Sequence, residues 1–345
     1  MTTASVTGQE ETTVLFLDRH SDGLIAYIER GLNGLPVKIL MPPDDQRESL
    51  LPLIPDAEIL IGWRSDLELL ESAGKMKLFI NPGTGIAQHL DNFRAIREMR
   101  NAVLVNGHGN SYSVAQLAVS LVLALTNKVV PYHLQMANGG GHVDQRTTYL
   151  KDITVGFLGY GAINKKVHRF LAGFDVSFSA CRYSWDSDRG PLATEISRYS
   201  ADQVDEFFEA ADIVICALPE TTRTYGIVTL RQLTLLGERG LFINVGRGSA
   251  VIEEDMYNAL KDKVIAGAAI EVWWRHPRLK DAEESERRDP YAFPFHELDN
   301  IVMSPHRGAD CGGNLDRWDE VIENIKRVHA GREDYLNVVD LDREY

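Results

Sequence analysis

From residue 12 onward, short apolar runs alternate with amphipathic stretches. Val14–Leu17, Val37–Leu40, Ile59–Ile61, Leu78–Ile80 and Val103–Val105 are too short for helices and read as strands. Between them, stretches such as Gly23–Gly31 and Phe93–Met99 carry apolar residues at helical spacing. Alternation of this kind predicts a parallel sheet covered by helices. The longest helical pattern follows, Ser113–Val130, with Ser113 as its expected N-cap and Pro131 as its expected stop. It is apolar on nearly every side, which predicts burial, in part against another subunit. Gly139-Gly-Gly141 then breaks the chain.

A second alternating series begins there. Its predicted strands are Ile153–Leu158, Val176–Ser179, Ile213–Ala217, Leu241–Val245, Ile265–Ile270 and Ile301–Met303. Its predicted helices are Ala162–Ala172, Ala201–Ala210, Leu230–Leu236 and Glu254–Lys261. Residues 275–289 are charged and irregular and read as a surface loop, and Asp316–Gly331 reads as a closing helix. Residues 1–11 are polar and are expected to be disordered. No repeat of solenoid period is present.

The chain has 345 residues, enough for two domains at roughly 100–200 residues each. It has 36 Lys and Arg against 50 Asp and Glu, a net charge of -14. That balance argues against nucleic acid or an anionic membrane as partner, since both require a basic face. It leaves small anionic substrates open. Cys181, Cys216 and Cys311 are too few for a disulfide scaffold and match no zinc spacing, so a reducing, cytoplasmic setting is expected. The first residues lack the basic and apolar regions of a signal peptide. Val114–Val130 contains Gln116, Asn127 and Lys128 and falls short of the about 20 apolar residues a bilayer needs. No cluster of His, Cys, Asp and Glu has metal-ligand spacing.

The strongest local signal is the strand ending Phe157-Leu-Gly159-Tyr-Gly161, with Ala162 and Ile163 opening a helix at once. Such a loop lets a pyrophosphate approach the backbone at the positive end of the helix. The third glycine of the usual fingerprint is replaced by Asn164. The acidic residue that grips the ribose should follow about 20 residues on. The chain there reads Ser179-Ala-Cys-Arg182-Tyr183, with no carboxylate. Arg182 is suited to the 2′-phosphate of NADP, so NADP is expected over NAD; its other reading is a solvated loop residue.

Five further blocks carry a wider resemblance: Pro82-Gly-Thr84-Gly85, Asn110-Ser-Tyr-Ser-Val-Ala-Gln116, Ala217-Leu218-Pro219-Glu-Thr-Thr222, Phe242-Ile-Asn-Val245-Gly246-Arg247-Gly248, and Ser304-Pro-His306-Arg307-Gly308. In this order and spacing the chain resembles the D-isomer-specific 2-hydroxyacid dehydrogenases. That family includes glyoxylate/hydroxypyruvate reductases and D-lactate, phosphoglycerate, formate and phosphite dehydrogenases. The resemblance implies an α/β fold of two doubly wound parallel-sheet domains, a Rossmann-type cofactor domain inserted into a flavodoxin-like substrate domain. It implies a substrate domain over 12–112 plus 310–345, a dinucleotide-binding domain over 113–309, an active site in the cleft between them, and a homodimer.

Reducing a 2-keto acid requires a hydride donor, a grip on the carboxylate and a proton for the carbonyl oxygen. Arg247 falls on the family's grip position, where a guanidinium holds a carboxylate bidentately. His306 falls on the proton donor's position, and imidazole exchanges protons near neutral pH. The resemblance places a Glu just before a Pro as partner to that histidine. Here His276 stands before Pro277, so the two histidines are expected to titrate as a coupled pair, with the proton-donor limb at lower pH than in relatives with Glu. The resemblance assigns Gly159, Gly161, Ala162, Ile163, Leu218, Pro219, Val245, Gly246, Glu271 and Gly308 to the cofactor. Glu271 stands where the family usually has Asp. Thr84, Gly85 and Asn110 are assigned to the substrate. Arg64 and Arg307 are surface residues unless they face the cleft, where they would meet a second anionic group on the substrate. Trp273 and Trp274 either wall the cleft or pack, and His89 and His108 are expected in ordinary polar roles.

The main reading is therefore an NAD(P)-dependent 2-keto acid reductase acting on a small anionic acid. A formate- or phosphite-type dehydrogenase on the same fold is the enzymatic alternative. A cofactor-sensing, corepressor-like regulator is the alternative of another class.

Overall fold

The structure, a computed structural model, describes residues 11–44, 46–140, 146–185, 190–275 and 289–345. The polar start, Gly141, His276 and most of the charged segment 275–289 lie outside the described residues. The chain divides into two compact units, Met1–Asn110 with Gly312–Tyr345, and Ser111–Cys311.

The first unit holds five strands: β1 (Thr12–Phe16), β2 (Val37–Leu40), β3 (Ile59–Ile61), β4 (Leu78–Asn81) and β5 (Val103–Asn106). They pair in the order β2-β1-β3-β4-β5, all parallel. Consecutive residues of a strand point to opposite faces, so strands apolar at every position need cover on both sides. Val14, Phe16, Ile59 and Ile61 accordingly pack with Leu24 and Ile28 of helix Asp22–Leu32 and with the C-terminal helix Asp319–His329. Leu15, Leu60 and Phe79 pack on the other face with Leu69, Leu70 and Phe93. Helix Asp22–Leu32 starts where the Ser21 hydroxyl accepts the Leu24 N–H, and it ends at Asn33 in the left-handed conformation.

The second unit holds β6 (Thr154–Leu158), β7 (Ser177–Arg182), β8 (Ser197–Ser200), β9 (Ile213–Cys216), β10 (Leu241–Asn244), β11 (Gly267–Ile270) and β12 (Ile301–Met303). Their order is β12-β11-β10-β9-β6-β7-β8, again parallel throughout. Helix Ser111–Thr126 covers one face through Val114, Ala118, Leu121 and Val122, against Phe157, Ile213 and Ile243. Phe207, Phe208, Phe242, Met256 and Leu260 fill the other face. The two doubly wound parallel sheets are the α/β fold expected from the sequence.

Several local expectations change. The helix expected over Ser113–Val130 begins at Ser111 and ends at Thr126. Lys128 adopts a left-handed conformation (φ 54°) that interrupts it, and a second helix runs Val129–Ala137. Pro131 is the third residue of that second helix, where the missing N–H leaves no intrahelical bond unmade. The helix expected at Phe93–Met99 is instead Ala87–Ile96, with His89, Leu90, Phe93 and Ile96 as its buried stripe. Strand β8 was not expected: its sequence, Ser-Arg-Tyr-Ser, has no apolar run, as suits a sheet edge. Helix Leu67–Ser72 was also not expected; the Asp66 carboxylate accepts the Leu69 N–H and caps it.

Candidate active site

In the second unit, β6 leads into Gly159, whose φ of 83° a residue with a Cβ rarely adopts. Gly161 is the N-cap of helix Ala162–Leu171. Among the described residues no side chain caps this helix, its first turn has no acidic residue, and nothing lies within 4 Å of the place a Cβ on Gly161 would take. The N–H groups at Ala162 and Ile163 thus open onto free space at the positive helix end, which suits a pyrophosphate. Asn164 is fully buried. Its Nδ2 donates to the carbonyls of Gly159 (2.6 Å) and Ile215 (3.1 Å), tying the loop to β9. An amide therefore does by hydrogen bonding what a third glycine does by close packing. Arg182 ends β7 beside Ser200 of β8, and its guanidinium lies 5.3 Å from the Trp185 ring centroid.

The turns after β9, β10, β11 and β12 meet at one edge of the same sheet. After β9, Leu218 and Pro219 begin a loop closed by the Thr224 hydroxyl, which donates to the Pro219 carbonyl (2.6 Å). After β10 come buried Val245 and Gly246, then Arg247 in extended backbone (φ −138°, ψ 143°). A Cβ on Gly246 would fall 2.6 Å from the Leu218 backbone, so only glycine lets these two turns touch. Asn244 clamps the turn from both sides. Its Oδ1 accepts the Gly246 N–H (3.1 Å) and its Nδ2 donates to the Arg247 carbonyl (3.0 Å). The Arg247 guanidinium, half-buried, donates to the Gly246 carbonyl (2.7 Å).

After β11, Glu271 is buried to 2 % exposure. Its Oε1 accepts the Gly308 N–H at 2.5 Å, while Oε2 is buried without a partner among the described residues. Glu271 thus binds the turn that carries His306 to the turn after β11. His306 is half-buried and sits at φ 58°. Arg307 is exposed and ion-paired with Asp310. Trp273 donates its ring N–H to the Ser304 carbonyl (2.8 Å) and packs with Tyr291 and Phe295. Trp274 stacks on Phe295 and donates to the Val251 carbonyl. Both indoles are therefore packing elements. His276 lies outside the described residues.

In the first unit, the turn Pro82–Gly85 after β4 is held from below. Asn81 donates to the carbonyls of Gly83 (2.5 Å) and Gly85 (2.9 Å). The Thr84 hydroxyl donates to the Gly107 carbonyl (3.1 Å) and to Asn110 Oδ1 (3.4 Å), so Thr84, Gly85 and Asn110 come together. Arg64 follows β3 and is exposed. Asn81 and Asn244 belong to no motif singled out from the sequence, but β4 and β10 share the run Leu-Phe-Ile-Asn, each ending in the residue that clamps its turn.

His89 takes a polar structural role in the first unit. It is fully buried between Ser65 Oγ (2.7 Å) and Asn81 Oδ1 (3.3 Å), and burial pushes its imidazole down to about 4. The unfolded value is about 6.5. The stability of the neutral form is therefore complete above about pH 6.5 and is lost as pH falls toward about 4. His89→Gln, which does not titrate, is expected to lose about 2 kcal/mol less stability than wild type between about pH 7 and about pH 5. Urea unfolding at the two pH values measures this, and parallel losses would contradict it.

Among the described residues no single helix is long and apolar enough to cross a membrane. The family model described as D-isomer specific 2-hydroxyacid dehydrogenase, NAD binding domain, matches residues 119–308. The chain is 25% identical over 311 residues to D-3-phosphoglycerate dehydrogenase of Methanocaldococcus jannaschii, covering 86% of this chain and 55% of that protein, so it spans about half that relative's length. It is 26% identical to glyoxylate/hydroxypyruvate reductase A of Photorhabdus laumondii over 84% of this chain and 88% of that one. A crystal structure of a D-isomer specific 2-hydroxyacid dehydrogenase from Xanthobacter autotrophicus, in complex with NADPH and MES, superposes with a TM-score of 0.75. That likeness, at 23% identity, covers 97% of this chain and 100% of the other and is one of fold. With a match over more than half its length, the chain belongs to the D-isomer-specific 2-hydroxyacid dehydrogenase family.

Proposed function

We propose that the protein is an NADPH-preferring reductase of small 2-keto acids. The observation that carries this reading is the joining of the turns after β9 to β12, which present Arg247 and His306 at one sheet edge. In this reading the second unit is the cofactor domain and the first is the substrate domain. The nicotinamide, when bound, supplies the hydride. Arg247 grips the substrate carboxylate and polarises the carbonyl as negative charge develops on its oxygen. In the first unit, the backbone amides at Thr84 and Gly85, with Asn110, are its substrate-binding groups. His306 gives the proton that converts the oxyanion to the hydroxyl, with His276 as its partner. Glu271 keeps the His306 turn in place through Oε1 and offers Oε2 to an amide of the cofactor. Leu218, Pro219, Val245, Gly246 and Gly308 line the ring, and Gly159, Gly161, Ala162 and Ile163 hold the pyrophosphate. Arg307 is spent on Asp310 and leaves Arg64 as the arginine for a second substrate anion.

The same reading has the protein cytoplasmic and homodimeric. All three cysteines are free thiols. Helix Val129–Ala137 buries none of its residues and exposes Val129, Leu134 and Met136, a surface suited to a second copy.

Incubation with glyoxylate, hydroxypyruvate and pyruvate, following NAD(P)H consumption, tests the function. Turnover of a keto acid is expected. Oxidation of formate or phosphite alone would favour that branch instead, and tight cofactor binding with no turnover would favour a regulator. For the cofactor, Arg182→Ala is expected to raise the KM for NADPH by about tenfold while leaving NADH nearly unchanged. Equal losses for both would defeat the NADP preference.

A further inference from the structure

The middle residue of the glycine loop is a buried tyrosine. Tyr160 stands between Gly159 and Gly161, and only 4% of it is exposed. Its ring packs on Phe157 of β6 and on Trp185. Its hydroxyl meets Nδ1 of His168 at 2.7 Å, and Nε2 of His168 meets the Thr194 hydroxyl, also at 2.7 Å. His168 lies in the helix that the loop opens, Ala162–Leu171, and is fully buried. The Phe157 and Phe178 rings close around it. A loop with a glycine on each side of one residue has few backbone restraints of its own, so the anchoring of that residue decides how well the loop is fixed.

The protons along this chain of groups run in one direction. The Thr194 hydroxyl donates to the Glu195 carbonyl (3.3 Å), so it accepts from the N–H at Nε2 of His168. That leaves Nδ1 as an acceptor, and the Tyr160 hydroxyl donates to it. The imidazole is therefore neutral, in keeping with its burial, which holds its pKa below the usual histidine value. A hydrogen bond enclosed by apolar rings is strong, and its acceptor is costly to leave unsatisfied. Asn164 ties the Gly159 carbonyl to β9, as described above. The Tyr160 hydroxyl adds a second tie, from the next residue of the loop to the helix it feeds.

Resting on the reading of this loop as the pyrophosphate site, we propose that Tyr160 and His168 are positioning residues for the cofactor. Their hydrogen bond holds the loop so that the Ala162 and Ile163 amides are already aimed when the pyrophosphate arrives, and Thr194 fixes which imidazole nitrogen accepts. A ligand that meets a preorganised loop bears less of the ordering cost of binding. The pyrophosphate is common to NADPH and NADH, so the effect belongs to both dinucleotides equally, unlike that of Arg182.

The test uses the different reach of two amides. The side-chain oxygen of Asn takes the place of imidazole Nδ1, and the amide nitrogen of Gln takes that of Nε2. His168→Asn therefore keeps the acceptor for Tyr160 and gives up Thr194, and His168→Gln does the reverse. Binding of NADPH and NADH is read by fluorescence quenching. Tyr160→Phe and His168→Gln are expected to raise both Kd values by about tenfold, and His168→Asn to stay within about threefold of wild type. The two His168 variants each break one bond of the same buried ring, so their melting temperatures should fall alike while their affinities part. Unchanged binding by Tyr160→Phe, equal losses of affinity in the two His168 variants, or a loss confined to NADPH would each overturn the inference. The last result would place the effect on Arg182 through Trp185. Wild-type binding separates the two levels: with a dinucleotide bound the inference alone fails, and with neither bound the reading of the loop falls as well.

Discussion

Arg247→Ala is expected to lower kcat/KM for glyoxylate by roughly a thousandfold. Losing one preorganised donor to a developing oxyanion typically costs about a hundred- to a thousandfold in rate. Arg247 is asked in addition to hold the carboxylate through charge-assisted hydrogen bonds, each about twice as strong as a neutral one. The loss should fall on both KM and kcat, since the carboxylate contact exists in the ground state and the carbonyl contact grows in the transition state. Arg247→Lys keeps the charge without the two-pronged geometry and is expected to recover only a small part. The Asn244 clamp holds the turn by its backbone, so NADPH affinity, read by fluorescence quenching, should change little. A loss below tenfold would remove Arg247 from the substrate.

Substitution of His306 is expected to have the next largest effect. General acid catalysis by a positioned side chain contributes about a hundred- to ten-thousandfold. The choice of variant matters because His306 lies at φ 58°. Asn tolerates the left-handed region, whereas a β-branched residue there is strained. His306→Asn therefore tests chemistry with little backbone cost. It should lower kcat by at least about a hundredfold with an unchanged melting temperature. The residual rate of His306→Asn should lose the pH dependence that wild-type keto acid reduction shows. A variant that keeps the wild-type pH profile would show that another group carries the proton.

Much of this arrangement was legible in the sequence where it is local. β3 and β12 begin and end where the apolar runs do, because each run is bounded by polar or turn residues. The glycine loop is equally local, since strand, turn and helix are contiguous. β8 was invisible because a polar edge strand has no hydrophobic signature. The break at Lys128 was invisible because nothing in a lysine announces a left-handed backbone. At the site, Arg247 and His306 stood out through the joint order of several blocks rather than through any pattern of their own. The Glu271–Gly308 bond joins residues 37 apart, and the Ser65–His89–Asn81 chain joins three separate elements. Such links depend on how strands are ordered in a sheet, which spacing along the chain does not reveal.

In the proposed reaction, hydride passes from the nicotinamide to the carbonyl carbon of a 2-keto acid. Mass spectrometry of the product formed from glyoxylate and NADPH deuterated at the transferring face of the nicotinamide C4 tests it most directly. Glycolate carrying one deuterium on its hydroxyl-bearing carbon is the expected product. Glyoxylate recovered unreduced, or glycolate formed without the label, would contradict it.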